Sequence, residues 1–275
     1  MAIHPTAIVE DGAKLGSEIE IGPFCVVGRE VVLGDGVRLL SHVFIGEQTN
    51  IGARTVVHAR SALGGKGQIR GPGFADSKLL IGSHCVIHEG VTMNGGSRAG
   101  GGVTRVGSNC YFMANSHVAH DCVVGDDVTF GNFAIVAGHA HLGQGVVLGD
   151  LSAVQQYCRI GKGAMIGGLT GVNTDVIPYG MARGERAVLS GINTVDLKRR
   201  GLNRLAVDEM RAAFKAIFLG NTGTLQERAR QVKEGSPNFE QIQEITDFIL
   251  VKARHGLCVA DPLTVTDGAD RYGHL

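Results

Sequence analysis

Stepping by six from Ile3 through this chain gives Val9, Leu15, Ile21, Val27, Leu33, Leu39, Ile45, Ile51, Val57 and Leu63, all aliphatic. The frame resumes at Ile81, Ile87 and Met93, shifts at an insertion, and restarts at Val106. From there it runs Phe112, Val118, Val124, Phe130, Val136, Leu142, Leu148, Val154, Ile160, Ile166 and Val172. A repeat this regular decides the fold before any motif is weighed. Gly often follows the aliphatic residue, as at Gly22, Gly34, Gly125 and Gly143. The fourth residue after it is small or β-branched, as at Ala7, Thr55, Ser61, Ser116 and Ala164. The pattern predicts a short flat strand with one large and one small inward side chain. A residue of little steric demand then turns the corner.

Three such faces make a triangular coil of eighteen residues, stacked on the next at about 4.8 Å by inter-strand hydrogen bonds. Roughly nine or ten coils give a prism about 45 Å long. Composition agrees with a thin interior: 42 of the 275 residues are Gly, aromatics are 5% and Trp is absent. Cys25, Cys85, Cys110, Cys122 and Cys158 all fall on the small inward position. There a thiol serves as compact apolar filler, so neither disulfides nor a zinc site is expected. That agrees with a reducing, cytoplasmic setting.

Two Gly-rich insertions break the prism, Gly64 to Lys78 and Gly95 to Arg105. Such loops can reach a neighbour or cover a ligand, although a solenoid also tolerates corner insertions for no reason of function. Neither ends in the Gly-Lys-Ser/Thr of a phosphate-binding loop. After Val172 the hexad dissolves at Pro178, and helical periodicity takes over. Helices are predicted over Asp208 to Leu219, over Thr224 to Lys233, and from a Ser236-Pro237 cap through Arg254. The organisation read from this is a β-helix over 1–189, a helical domain over 190–258 capping the open last coil, and a loosely held tail over 259–275. Lys+Arg and Asp+Glu are balanced at 26 each, which removes the electrostatic case for a nucleic-acid or membrane-surface partner. No apolar run is long enough for a transmembrane segment, and the start of the chain shows no secretory pattern.

In the second run the corner Gly is replaced at Met113, Ala119, Ala137 and Gln155, around His117-Val118-Ala119-His120-Asp121-Cys122. Eighteen residues per coil stacks His120, Gly138 and Gln156 in one column, about 5 Å apart, with His139 beside Asp121. This set suits acyl transfer to a hydroxyl or an amine. A neutral His120 can take the proton of the attacking group, and Asp121 can fix its tautomer. The Gly138 N–H can hold the oxyanion. No Ser or Cys sits in an activated context, so direct transfer is expected rather than a covalent intermediate. The competing reading of any one of these histidines is surface polar filler.

Asn115-Ser116-His117-Val118-Ala119-His120-Asp121-Cys122, Ala137-Gly138-His139 and Leu197-Lys198-Arg199-Arg200-Gly201 resemble the acyl-carrier-protein–UDP-N-acetylglucosamine O-acyltransferases of lipid A synthesis. The likeness runs from Ile3 to about Arg254. It implies a mainly β fold, a left-handed parallel β-helix of hexapeptide repeats with a C-terminal α-helical domain. The hand comes from the resemblance alone, since general chirality rules favour the right. The resemblance also implies His120 as general base, Gly138 as oxyanion donor, and His117, His139 and Gln156 lining the sugar and acyl groove. Asn193 and Arg199 would lie at the nucleotide, and Gly168 would be the acyl ruler, leaving room for a long 3-hydroxyacyl chain. Implied partners are acyl carrier protein, UDP-N-acetylglucosamine or a related UDP-amino sugar, and two further copies in a homotrimer. No cofactor and no metal are implied.

Three departures bear on the acceptor. The family's first insertion carries Gln-Asp-Leu-Lys-Tyr, where this chain has Gln68-Ile69-Arg70-Gly71-Pro72. Gln155 and Asn94 stand where many members have His. The acceptor position therefore carries either a hydroxyl or, in a 3-amino sugar, an amine. Two other classes compete. A β-helix hydratase of the carbonic anhydrase type would need a His₃ metal site, for which His117 and His120 have the wrong separation. A non-catalytic scaffold would not need His120. The Lys198-Arg199-Arg200-Arg204 cluster suits either an acidic carrier protein or a solvated helix face.

Overall fold

The computed structural model describes residues 1–70, 76–261 and 265. Paired strands of mostly two residues, from Ala2–Ile3 to Gly171–Val172, wind into three sheets of a left-handed parallel β-helix. The first sheet begins with Ala2–Ile3, the second with Ile8–Val9 and the third with Lys14–Leu15. Within each sheet the register steps by eighteen, as in Glu20↔Arg38 and His117↔Ile135. At the first insertion it stretches to Val56↔Val86, and at the second to Thr92↔His117.

The interior holds the hexad residues. The Phe112 and Phe130 rings lie 4.7 Å apart on adjacent rungs. All six cysteines are unpaired and buried. Their thiols do more than fill space: Cys85 donates to Gly107 O at 3.3 Å and Cys122 to Ala137 O at 3.2 Å. Burial pushes the Cys122 thiol up to about 12.

The glycines after the aliphatic residues have a different cause from the one expected. They do not turn the corner. A Cβ at Gly125 would lie 2.7 Å from Gln144 N, and one at Gly143 would lie 2.5 Å from Lys162 N, so the next coil passes too close for any side chain. The turn falls two residues later, at positive φ, and ordinary residues such as Leu151 and Leu169 occupy it.

The helical region comprises α1 (Thr194–Arg199), α2 (Arg204–Phe218), α3 (Leu225–Gly235) and α4 (Glu240–Leu250). Helix α1 was not anticipated; Asn193 starts it by accepting from Asp196 N at 3.2 Å. Helix α2 begins earlier than expected because Asn203 accepts from Ala206 N at 2.9 Å. Ser236-Pro237 is not the cap of the last helix. Helix α3 runs on to Gly235, Ser236 ends it, and Phe239 precedes α4 with no side-chain cap bond. Helix α4 stops at Leu250, where Val251 is extended, and the residues that follow carry Arg254 back to the prism. The strand Val188–Ile192 straddles the boundary placed at 189 and pairs antiparallel with Gly180–Arg183.

Lys162 Nζ meets Glu244 Oε1 at 2.6 Å, and the Tyr179 hydroxyl donates to Glu244 Oε2, fixing the helices to the last coils. Val259 and Ala260, expected in a loose tail, lie against Leu189, with Leu189 N donating to Val259 O at 2.9 Å. The rest of that tail, apart from Asp261 and Val265, is outside the described residues.

Candidate active site

Three successive turns between the second and third sheets carry Ala119-His120-Asp121, Ala137-Gly138-His139 and Gln155-Gln156-Tyr157. Asp121, His139 and Tyr157 share the left-handed backbone position, at φ 61, 61 and 65. Their side chains therefore project in a common direction from adjacent coils. His120 Nδ1 lies 2.7 Å from Asp121 Oδ2, and His139 Nε2 lies 3.6 Å from the same oxygen. A Cβ at Gly138 would lie 2.5 Å from His120 Cε1, so only Gly leaves room for the imidazole. Among the described residues the Gly138 N–H makes no hydrogen bond.

Both insertions fold onto this column within the same chain. Ser97, in the second, donates from its amide to Asp121 Oδ1 at 2.7 Å and from its hydroxyl to Oδ2 at 2.5 Å. Gly100 passes over the carboxylate, where a Cβ would lie 2.1 Å from Asp121 Cγ. Asp121 N in turn donates to Thr104 Oγ1 at 2.8 Å. Gly67 of the first insertion backs onto His120; a Cβ there would lie 3.0 Å from His120 Cβ. Asn94 holds the start of that insertion by donating to Lys66 O at 3.1 Å, and its own Oδ1 is buried without a partner among the described residues.

The result is an ionised carboxylate with a 1% exposed side chain beneath a His120 side chain that is 15% exposed. Burial works to raise the Asp121 carboxyl, but the Ser97 hydroxyl and amide, with His120 and His139, outweigh it and hold it below its ordinary value. Burial pushes His117 and His139 down, which keeps both neutral near neutral pH. With Nδ1 of His120 held by the carboxylate, its Nε2 is the nitrogen free to accept a proton.

Of the other expected site residues, Gln156 keeps its place in the column and the rest lie elsewhere. His117 is partly buried on the second sheet, its Nδ1 2.7 Å from Thr92 Oγ1. Gln156 is exposed one coil beyond Gly138. Asn193 is buried, with its amide spent between Gly163 O, at 3.0 Å, and the start of α1. Arg199 is exposed and makes no ion pair among the described residues. Gly168 follows a strand of the first sheet, so it lies on a different corner of the prism from His120. Within one chain it cannot line a groove that starts at the base.

Sequence reasoning missed four participants. His139 stacks on Tyr157 with centroids 4.5 Å apart and planes at 6°, and the Arg254 guanidinium sits 3.7 Å over Tyr157. The step of eighteen, applied to His139, reaches Tyr157. Nothing in the pattern points to Ser97, Thr104 or Arg254, because the insertion and the helices break the register.

A parallel β-helix with a His–carboxylate pair and an open backbone N–H on one corner defines a hexapeptide-repeat transferase. The family model for bacterial transferase hexapeptides matches residues 104–138, and that for the second domain of UDP-N-acetylglucosamine O-acyltransferase matches residues 175–258. The acyl-carrier-protein–UDP-N-acetylglucosamine O-acyltransferase of Rhizobium johnstonii is 45% identical over 93% of both chains. That of Caulobacter vibrioides is 45% identical over 95% of this chain and 99% of its own. A crystal structure of the UDP-N-acetylglucosamine O-acyltransferase of Moraxella catarrhalis superposes with a TM-score of 0.89 at 36% identity, covering 94% of this chain and 100% of that one. This chain belongs to the acyl-carrier-protein–UDP-N-acetylglucosamine O-acyltransferase family, and it is an acyltransferase.

The depressed Asp121 carboxyl carries a stability signature. Its contribution is fully present above the carboxyl's unfolded-state value and drains away as pH falls through the lower folded-state value. Asp121→Asn is expected to flatten the acid limb of a thermal-melt series run from neutral to strongly acidic pH. A limb as steep as wild type would show that Asp121 is not held in this way.

Proposed function

We propose that the chain transfers a long 3-hydroxyacyl group from acyl carrier protein to position 3 of the sugar of UDP-N-acetylglucosamine, the first step of lipid A synthesis. The observation that carries this reading is the His120–Asp121 pair packed against Gly138, whose N–H is without a partner among the described residues. His120 Nε2 removes the proton of the acceptor hydroxyl as its oxygen attacks the thioester carbonyl. The Gly138 N–H meets the oxyanion, and Asp121 stabilises the imidazolium. Collapse breaks the carbon–sulfur bond, and His120 returns the proton to the departing thiolate. The shift that keeps His139 neutral leaves it free to hydrogen-bond the sugar, alongside His117 and Gln156. Asn193, whose amide is spent inside the chain, acts by anchoring α1, from which the exposed Arg199 reaches the phosphates. The altered first insertion and Gln155 bear on whether a 3-amino acceptor is also used.

The experiment is a mass-resolved assay with acyl-carrier thioesters of several lengths and two acceptors, UDP-N-acetylglucosamine and its 3-amino analogue. His120→Ala should lower turnover by about 10²–10⁴-fold without loss of the fold. Turnover within about threefold of wild type would remove His120 from the mechanism.

We also propose assembly as a homotrimer, a reading supported by where the apolar surface lies. Exposed Ile8, Phe44 and Ile135 stand on the second sheet, and exposed Phe24, Phe133, Leu151 and Leu169 on its border with the first. A stripe of this kind on one face marks an association surface. His120 lies on the opposite border of that same face. Cyclic closure brings the His120 corner of one chain against the Gly168 corner of the next, so the acyl groove runs between chains. Light scattering at micromolar concentration should give three chains per particle; a monomer would overturn this. Placement in the cytoplasm accords with the six unpaired cysteines.

In that arrangement Gly168 is open, since a Cβ there would touch only the Asp150 backbone, at 3.2 Å from its oxygen. Gly168→Met should shift preference toward shorter donors, each excluded methylene forfeiting about 0.8 kcal/mol of burial. An unchanged length profile would put the acyl groove elsewhere.

A further inference from the structure

A second cluster of histidines lies away from the His120 corner, where the first sheet turns into the second. His58 and His88 follow the strands Val56–Val57 and Val86–Ile87, which pair in register. Thirty residues separate the two histidines instead of eighteen, because the first insertion intervenes, so the repeat does not reveal their pairing. The ladder fixes both backbones: His58 N donates to Ile87 O at 2.7 Å and His88 N to Phe112 O at 2.9 Å. The rings lie 4.5 Å apart with planes at 27°. Glu89 faces both, with Oε1 3.2 Å from His58 Nδ1 and Oε2 3.5 Å from His88 Nδ1. The Tyr111 hydroxyl, on the next rung, lies 2.7 Å from His88 Nε2.

Two imidazole nitrogens and a carboxylate oxygen are a donor set for zinc and its neighbours in the first transition row. Bonds of about 2.0–2.1 Å in a tetrahedral site put neighbouring donors about 3.4 Å apart. The Glu89 carboxylate spans the two imidazoles, Oε1 3.2 Å from His58 Nδ1 and Oε2 3.5 Å from His88 Nδ1, and one ligand atom from each residue falls within a 4.8 Å set that a small shift can close on a cation. Tyr111 supplies the outer hydrogen bond that commits His88 Nδ1 to the cluster, as metal-ligating histidines require. The other His–carboxylate group, His120, Asp121 and His139, differs in one decisive respect. Both Asp121 oxygens already accept from Ser97, whereas Glu89 is turned to the two imidazoles.

We infer that His58, His88 and Glu89 bind a divalent cation of the zinc class, with water completing its shell. The site ties together the two coils between which the first insertion leaves and returns, and that insertion rests Gly67 against His120. It adds a metal where the sequence indicated none, and its ligands are histidines, not the buried cysteines. The inference stands independently of the acyl-transfer reading.

Metal-free protein titrated with Co²⁺ tests it, read by the visible absorption of tetrahedral cobalt and by metal content after gel filtration. Wild type and His120→Gln should each take up one cobalt per chain, displaced by Zn²⁺, and the double variant His58→Gln/His88→Gln should take up none. No uptake by wild type would overturn the inference. So would uptake that survives in the double variant but disappears in His120→Gln, which would put the cation at Asp121. If the double variant does not elute as folded protein, Glu89→Gln takes its place. It should weaken cobalt affinity by at least about tenfold, and an unchanged affinity would overturn the site.

Discussion

The hydrogen bond from each strand to the strand one coil later sets everything else in this molecule. In Ala119 N to Val136 O and Ala137 N to Val154 O, both 2.9 Å, it holds successive coils in a register that no side chain could keep alone. Where the next coil passes closest, as at Gly125 and Gly143, no space is left for a Cβ after the inward aliphatic, and Gly is the outcome. The same closeness stacks chemically useful side chains in columns whose members cannot drift apart. An imidazole, an unpartnered backbone N–H and a carboxylate are thereby brought together by backbone geometry.

That geometry alone would leave the carboxylate wet. Asp121 becomes a fixed, ionised partner because the second insertion lays Ser97 and Gly100 across it, satisfying both oxygens while excluding solvent. A buried carboxylate without those donors would be driven toward its protonated form and would lose its hold on His120. Gly67 of the first insertion does the matching work on the stem of His120, and Asn94 pins the neighbouring Lys66 in place. The interruptions of the repeat are therefore as much a part of the site as the repeat itself.

The helical region extends the same logic from the other end. The segment after α4 returns Arg254 onto Tyr157, and the stack Arg254–Tyr157–His139 ends edge-on to His120, with the His120 and His139 centroids 5.1 Å apart. Glu244, Lys162 and Tyr179 fasten the helices to the last coils, so that stack rests on a fixed base. The exposed apolar residues of the second sheet lie on the same face that His120 borders.

By itself the sequence determined the prism, its inward residues, and the column of His120, Gly138 and Gln156 with His139 beside Asp121, because each follows from counting residues along a fixed period. It also marked the helical region, where the period changes. It misjudged the glycines, since a pattern shows that a position must be small but not whether turning or crowding makes it so. Only the tertiary structure decided which residues the insertions deliver to Asp121, that Asn193 is spent on α1, that Gly168 lies on another corner, and that His58 meets His88 and Glu89. In each case the chain between the partners breaks the eighteen-residue register or crosses to another face, and contacts of that kind depend on the path of the folded backbone and not on spacing in the sequence.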